Sequence, residues 1–415
     1  MLIGSILHPH HHFINSILII FFTTVFILSS FLKKMRCSNI WKATVTPLAS
    51  IIGSGFLVVT PLFILILGKF ALLATIGMVL VAYLMGYVMR FNIFYLEPQI
   101  IKPMATTFIV VLEHFSYPVL GAAYLISVPF YIKLLSLFLL RGINTKNNFI
   151  ANCIATLLIG FIGLIGKIRG FKSLEFLEEY AVNIKLSIIF SMIIGLIIYN
   201  LNLLHSNSWH LTISTPELGI ETIRKLLGTI IIVQGFETSR FLGLTYDTGI
   251  RIKTMRYAQI ISGIIYIVFV GLSLVVFDTV QAVTETSIID ISEKIAIVLP
   301  YLLIVAAILS QFSASIADTV SAGGLFSEAT ARRLKPNNNY LLIAVIAIGL
   351  TWATNIFQII SLASRAFALY YAIQAFEATL LAYQQAKNIW SILRVVLFLL
   401  ITCIMLMVVI FGISV

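Results

Sequence analysis

A bundle of about twelve membrane-spanning helices is the fold this sequence predicts, and three observations predict it. Hydrophobic residues make up 60% of the 415-residue chain and charged residues 10%, against roughly 45–50% and about 25% in a soluble domain. The mean hydropathy is +1.06. The apolar residues fall in unbroken runs about 20 residues long, the length a helix needs to cross a bilayer, with none of the short alternating segments of a transmembrane barrel. A soluble fold of this length has too little interior to hide that surface, so lipid is part of the solvent. Helices then follow, because they satisfy their own backbone polar groups where no water can.

The runs place spans at 13–32, 43–67, 70–95, 117–140, 148–166, 180–204, 224–245, 256–277, 295–326, 340–354, 356–383 and 391–413. Basic clusters set their orientation. Lys33, Lys34, Arg36 and Lys42 precede the second span, and Lys167, Arg169 and Lys172 follow the fifth. Arg251, Lys253 and Arg256 follow the seventh, and Arg332, Arg333 and Lys335 follow the ninth. With alternating spans all four clusters share one side, which is therefore cytoplasmic. Arg141 and Lys146 are the exception, on a short external loop. The expected location is the plasma (inner) membrane, multi-pass. The first span fits a true extra helix, an uncleaved signal anchor, or an upstream extension of a chain that begins at Met35; no small-x-small cleavage site follows it. The expected division is 1–40 for this helix and its linker, 41–385 for a ten-helix core and 386–415 for a C-terminal extra helix.

Other function classes find little support. The net charge of +11 is accounted for by topology-setting loops, so no nucleic-acid partner is expected. Cys37, Cys153 and Cys403 have no metal or disulfide spacing, and His10, His11 and His12 read as a solvated flank. There is no H-E-x-x-H, no Asp-rich pair and no filter repeat, and His114, His205 and His210 fall outside the spans. No catalytic residue, cofactor or resident metal is expected.

Two spans carry residues that a lipid-facing helix avoids. The second reads Thr46-Pro47-Leu48-Ala49-Ser50-Ile51-Ile52-Gly53-Ser54-Gly55-Phe56. Each Gly weakens a helix by about 1 kcal/mol relative to Ala. Such a stretch fits either an unwound segment beside a cavity or a small-residue contact between helices. The seventh reads Ile231-Ile232-Val233-Gln234-Gly235-Phe236-Glu237-Thr238-Ser239-Arg240. A charge at that depth costs at least about 2.5–3.5 kcal/mol, so it faces a partner or water. Glu237 and Arg240 are spaced to neutralise each other along one helix face. Counted from the second span, the interruptions fall in helices one and six of a five-plus-five arrangement, the sequence pointer to a secondary transporter whose site lies between two repeats at mid-membrane. Unwound backbone at both places is the expectation.

"IIGSGF" resembles the first-helix signature of the amino acid–polyamine–organocation (APC) superfamily, and "VQGFE" is similar to its sixth-helix Gly-Phe-Glu motif. The likeness runs from about Trp41 to the end of the chain. It implies a LeuT/APC-type inverted-repeat core and alternating-access transport of an amino acid or related amine. It also implies that backbone at Ser50, Ile52, Gly53, Ser54 and Gly55 receives a carboxylate. Val233, Gln234 and Gly235 receive an amino group, with Phe236 as a gate. Ala49 stands where many members have Gly, Pro61 lies one residue late, and the acidic pair and Pro-x-Arg after the sixth helix are replaced by Tyr246-Asp247 and Arg251. The chain reads as a divergent branch.

Lys185, in the fifth core helix, resembles the lysine that proton-linked and exchanger members place where sodium-driven relatives hold a cation; the competing reading is a lysine snorkelling to the interface. In the eighth core helix Ser310, Gln311, Ser313, Ser315, Asp318, Thr319 and Ser321 form a small-polar stripe. Ser315 is a candidate ion ligand, and Asp318 is a carboxylate in need of Lys185 or a proton. Arg365, Gln374 and Glu377 are further buried candidates in the tenth, Arg365 facing either an anionic substrate or Glu237. Tyr124 and Lys133 are expected to line the cavity. The partners implied are a small-molecule substrate, protons and the lipid bilayer.

Overall fold

A computed structural model describes residues 9–30, 38–101, 107–169, 175–211, 213, 217–277, 284, 286–330, 333 and 336–415. Among the described residues the regular structure is entirely helical. The chain forms α1 (Pro9–Ser30), α2 (Asn39–Leu67), α3 (Ala71–Tyr95), α4 (Glu97–Ile101), α5 (Thr107–Gly142), α6 (Asn148–Arg169) and α7 (Glu175–His205). After α8 (Ile220–Leu227) come two 3₁₀ segments, Ile230–Val233 and Phe236–Leu244. The chain closes with α9 (Thr248–Phe277), α10 (Ser287–Ile295), α11 (Leu299–Ala329), α12 (Pro336–Ala353), α13 (Ile356–Gln384) and α14 (Ile389–Phe411). Eight stretches of the described residues are long and apolar enough to cross a membrane, the first of them holding both α2 and α3. Residues 15–29 of α1 and 337–353 of α12 are shorter apolar helices. The sixth core span escapes a search for long helices because it is not one.

Packing sorts the core helices into two groups. α5 lies along α11 and α6 along α12, and cross-contacts between these pairs make a four-helix scaffold. α2 and α3 both pack on α9, and the 3₁₀ segments are wedged between α2, α3, α9 and α13. α7 bridges the groups through α11, and α13 does so through α5 and α3. α1 runs along α7, with Asn15 Nδ2 donating to the Ile295 carbonyl at 3.3 Å and the Phe26 and Phe190 rings 5.6 Å apart.

Three expectations need correction here. First, α2 is one continuous helix through Gly53, Ser54 and Gly55. Gly55 serves close packing: a Cβ there would run into the backbone carbonyl of Ile232. Second, α5 begins at Thr107, ten residues before the expected span, and continues through Pro118 and Pro129. Its start is the apolar run Phe108-Ile109-Val110-Val111-Leu112, closed by Glu113, and Glu113 and Ser116 are buried inside protein. Third, Lys133 caps a helix instead of lining a cavity. Its Nζ donates to the carbonyls of Thr351 (3.0 Å) and Thr354 (2.6 Å), at the C-terminal end of α12, where helix carbonyls lack partners.

Polar contacts fix the ends. Asn355 and Asn388 close capping boxes on α13 and α14, and Arg141, the external exception to the charge rule, pairs with Asp290 of α10. The end of α14 is tied to α8: Arg224 Nε donates to the Phe411 carbonyl at 3.2 Å, and the Ile413 N–H donates to the Arg224 carbonyl at 3.1 Å. Gly228, just after α8, leaves no room for a Cβ against the Ile413 carbonyl.

Gly235 has φ +116°, and a Cβ there would lie 2.7 Å from the Ile51 nitrogen. Gly53, by contrast, would place a Cβ at 3.5 Å from Ala314 and 3.6 Å from the Ser310 hydroxyl, ordinary contact distances. Melting of the detergent-purified protein should therefore show Gly55→Ala and Gly235→Ala each destabilising by about 1–3 kcal/mol, while Gly53→Ala melts close to the parent. Equal melting of all three would remove the close-packing explanation.

Candidate functional site

The sixth span breaks at Gln234-Gly235, between its two 3₁₀ segments. Left-handed backbone at Gly235 turns the chain there, a conformation open to Gly at little cost. The inner segment holds nine residues in 3₁₀ geometry, longer than the three or four usual for this form. The break lies directly against α2 at Ser50 and Ile51. Tyr266 of α9 fastens the crossing, its hydroxyl donating to the carbonyls of Ile51 (2.6 Å) and Ile232 (3.2 Å).

Glu237 sits at the centre, fully buried. Its Oε2 accepts from the Tyr371 hydroxyl (2.8 Å) and from the Gly235 N–H (2.8 Å), and its Oε1 from the Tyr124 hydroxyl (3.3 Å). Three neutral donors thus hold a carboxylate with no guanidinium among those contacts. Aromatic rings surround it: Phe236 stacks on Tyr371 at 5.3 Å between centroids, and Tyr124 meets Phe367 edge-on at 5.5 Å. Gln234 Nε2 donates to the Tyr131 hydroxyl at 2.9 Å.

Lys185 lies to one side of α2. It is 3% exposed, which rules out snorkelling, and its Nζ donates to the Ala49 carbonyl (3.1 Å) and the Ser310 hydroxyl (3.2 Å). Gln311 Nε2 donates to the Gly53 carbonyl at 3.1 Å. Asp318 is buried and accepts from the Ser127 hydroxyl of α5. Ser315 turns its hydroxyl back to the Phe312 carbonyl at 2.7 Å. Two small cavities flank the crossing, each of about 10 Å³, room for about one water. Ile51, Val233, Gln259 and Tyr266 help line one; Ile52, Phe56, Lys185 and Ser310 help line the other. The helices are close-packed at the crossing itself, where a Cβ on Gly55 or Gly235 would meet backbone of the other segment.

The structure brings Ser50, Ile52, Gly53, Gly55, Tyr124, Val233, Gln234, Gly235, Phe236, Glu237 and Lys185 together around this crossing; the side chain of Ser54 lies outside the described residues. Two expected charges go elsewhere. Arg240 does not pair with Glu237, because the Glu237 side chain folds back onto the Gly235 N–H. Arg240 instead meets Glu113 (2.8 Å), Glu97 (3.5 Å) and the Gln374 side-chain oxygen. Arg365 is exposed on the outer face of α13, its Nε donating to the Val409 carbonyl of α14 at 2.7 Å.

Several residues escaped the sequence reading. Tyr371 lies on one α13 stripe with Phe367, Tyr370 and the two residues that the sequence did mark as buried candidates, Gln374 and Glu377, a helical spacing that could have flagged it. Glu97, Glu113, Tyr131 and Tyr266 gave no such signal, since nothing in a single sequence says which buried tyrosine has a partner.

Comparison with known proteins gives a consistent picture. The profile of a family described as APC superfamily transporter matches residues 33–412. A chain from Aquifex aeolicus (strain VF5), described only as an uncharacterized protein, is 40% identical over 396 residues, 94% of each chain. Among solved structures, a mutant of the Eremococcus coleocola manganese transporter superposes with a TM-score of 0.57 at 13% identity, over 89% of this chain and 87% of that one. A nucleobase-cation-symport-1 family transporter, closed around bromovinylhydantoin, gives 0.57 at 12% identity over 88% and 89%. A Na⁺-coupled sialic acid symporter gives 0.50 at 13% identity over 97% and 99%. At these identities the likeness is one of fold.

Removing the Arg240 charge strands buried carboxylates. Arg240→Met should lower stability in a detergent melt by about 3–5 kcal/mol, and Arg365→Met, at an exposed position, should change it by no more than about 0.5 kcal/mol. The reverse order would contradict the pairing described.

Proposed function

Because the chain belongs to the APC superfamily of transporters, we propose that it carries a small organic amine or amino acid across the plasma membrane by alternating access, through proton coupling or exchange. The observation that carries this reading is Glu237: a buried carboxylate beside a backbone break, ringed by Tyr124, Phe236, Phe367 and Tyr371. A fixed negative charge among aromatic faces is the chemistry that receives an ammonium group, by ion pairing and by cation–π attraction worth about 2 kcal/mol when desolvated. Carbonyls freed near Val233 and Gln234 would complete the amino-group site, and Phe236 would close over it. α2 keeps its N–H groups within the helix in this structure, so a substrate carboxylate would be received only once α2 opens at Ser50–Gly55. This favours an amine over a full amino acid.

Transport on this reading is the work of the ten-helix core, 41–385. α2 and the broken sixth span, with α3 and α9, rock against the scaffold of α5, α6, α11 and α12. Lys185, joined to the Ala49 carbonyl and the Ser310 hydroxyl, is placed to report its protonation to α2 and α11 together, with Asp318 and Ser315 as further members of a coupling path. The solved neighbours named for manganese, nucleobase-cation symport and sialic acid support a second reading, another small solute or ion on the same fold.

A thermal-shift screen against amines, amino acids, Mn²⁺, nucleobases and sialic acid separates these. A binder at a hundredfold excess over Kd stabilises by about 2.7 kcal/mol. An amine hit that disappears in Glu237→Gln supports the proposal; a hit confined to another class overturns the substrate assignment. In proteoliposomes, counterflow of the bound solute is expected, and its absence would favour a receptor or scaffold. Lys185→Ala should remove the pH dependence of uptake; unchanged dependence would exclude Lys185 from coupling.

A further inference from the structure

Below the break, towards the end assigned to the cytoplasm, lies a cluster, buried except for Glu97 with its side chain 19% exposed, in which acidic groups outnumber basic ones. It holds Glu97 of α4, Glu113 of α5 and Glu377 of α13 against Arg240 of the sixth span and Arg251 of α9. Arg251 grips Glu97 with both nitrogens, at 3.1 and 2.7 Å, and Arg240 Nη2 meets Glu113 at 2.8 Å. Glu377 makes no ion pair among the described residues. The Gln374 amide sits at the hub. Its oxygen accepts from Arg240 and from Asn92 Nδ2 (3.0 Å). Its nitrogen donates both to Glu113 Oε2 (3.1 Å) and to Glu377 Oε2 (2.9 Å). Two carboxyl groups therefore converge on one nitrogen. The second oxygen of Glu377, in a side chain that is 0% exposed, has no hydrogen-bond partner.

Fully ionised, these five groups carry a net charge of −1. An uncompensated buried charge is the arrangement that proteins avoid, and two carboxyl groups sharing a site cannot both ionise freely. The other groups facing the pair do not supply the missing positive charge. Tyr117 and Tyr370 are neutral phenols beside Glu113 and Arg240, Glu328 of α11 is itself acidic, and Arg394 of α14 is seated over the Phe91 ring at 5.7 Å.

We propose that Glu377 and Glu113 hold one proton between them, making the cluster a proton-binding site separate from Lys185. The proton resides on Glu377, leaving Glu113 ionised opposite Arg240. Because Gln374 and Arg240 tie α13, α5, α3 and the inner 3₁₀ segment together here, loss of that proton sets a negative charge loose where four elements meet and loosens this end of the core. The link to transport rests on the proposed function; the presence of the proton does not.

Difference infrared spectroscopy of the full chain in lipid at neutral pH tests this. Subtracting the Glu377→Gln spectrum from the parent should reveal one lost carboxylic C=O stretch that shifts in D₂O. Glu113→Gln should lose the same band, because Glu377 must then ionise opposite Arg240, and Glu377→Asp should keep it at a shifted frequency. Loss of a carboxylate band in Glu377→Gln, with the carboxylic region unchanged, would show Glu377 ionised and overturn the proposal. Should Glu377→Gln fail to fold, Glu377→Asp and Glu113→Gln still decide. Lost carboxylic intensity in a chain that moves no amine would uphold the proton site while removing the amine reading.

Discussion

Two backbones touch near the middle of this molecule, and most of its architecture follows from that contact. α2 and the broken sixth span meet so closely that neither Gly55 nor Gly235 can carry a side chain, the one facing the Ile232 carbonyl and the other the backbone at Ser50 and Ile51. The contact is then secured by side chains aimed at main-chain carbonyls. Lys185 reaches Ala49, Tyr266 reaches both Ile51 and Ile232, and Gln311 reaches Gly53. In a bilayer no water competes for those acceptors, so each such bond fixes geometry more firmly than at a wet surface. α2 accepts these bonds while staying helical throughout, and the conformational irregularity of the pair is concentrated in the sixth span.

Charge is distributed by the same logic. At the centre, a single buried carboxyl group is held by two hydroxyls and one backbone N–H, with no cation among those contacts. Further along, Arg240 and Arg251 are buried with carboxylates at ion-pair distance, where at an effective dielectric of about 20 a pair at 4 Å gains about 4 kcal/mol. Such pairs offset the cost of keeping arginine out of water. The molecule thus keeps a carboxyl group held by neutral donors apart from carboxylates paired with arginine, although Glu237 and Arg240 lie on the same short segment.

The sequence made the fold legible because lipid imposes a strong rule: unbroken apolar runs must be helices, and basic loops mark one side. The interruption at Gly235 was legible too, since Gln, Gly, Glu and Arg together have no place in a lipid-facing helix. The Gly-Ser-Gly stretch was ambiguous for a physical reason. Glycine serves an unwound backbone and a tight helix crossing equally well, and only the position of Ile232 decides between them. The partner of Arg240 was hidden because 3₁₀ geometry and the recoil of Glu237 towards Gly235 defeat helical spacing rules. Glu113 was hidden because the expected span began at 117, beyond an apolar run that the helix in fact includes. Arg365 looked buried because its neighbours are, yet one turn of α13 faces outward.

The tie between α14 and α8 has a mechanical meaning. Arg224, Gly228 and Ile413 join the outer part of the sixth span to the end of a helix that lies outside the ten-helix core. The left-handed turn at Gly235 therefore divides the sixth span into an outer part bound to the added helix and an inner part bound through Arg240 to α5, α9 and α13, so the two halves answer to different neighbours.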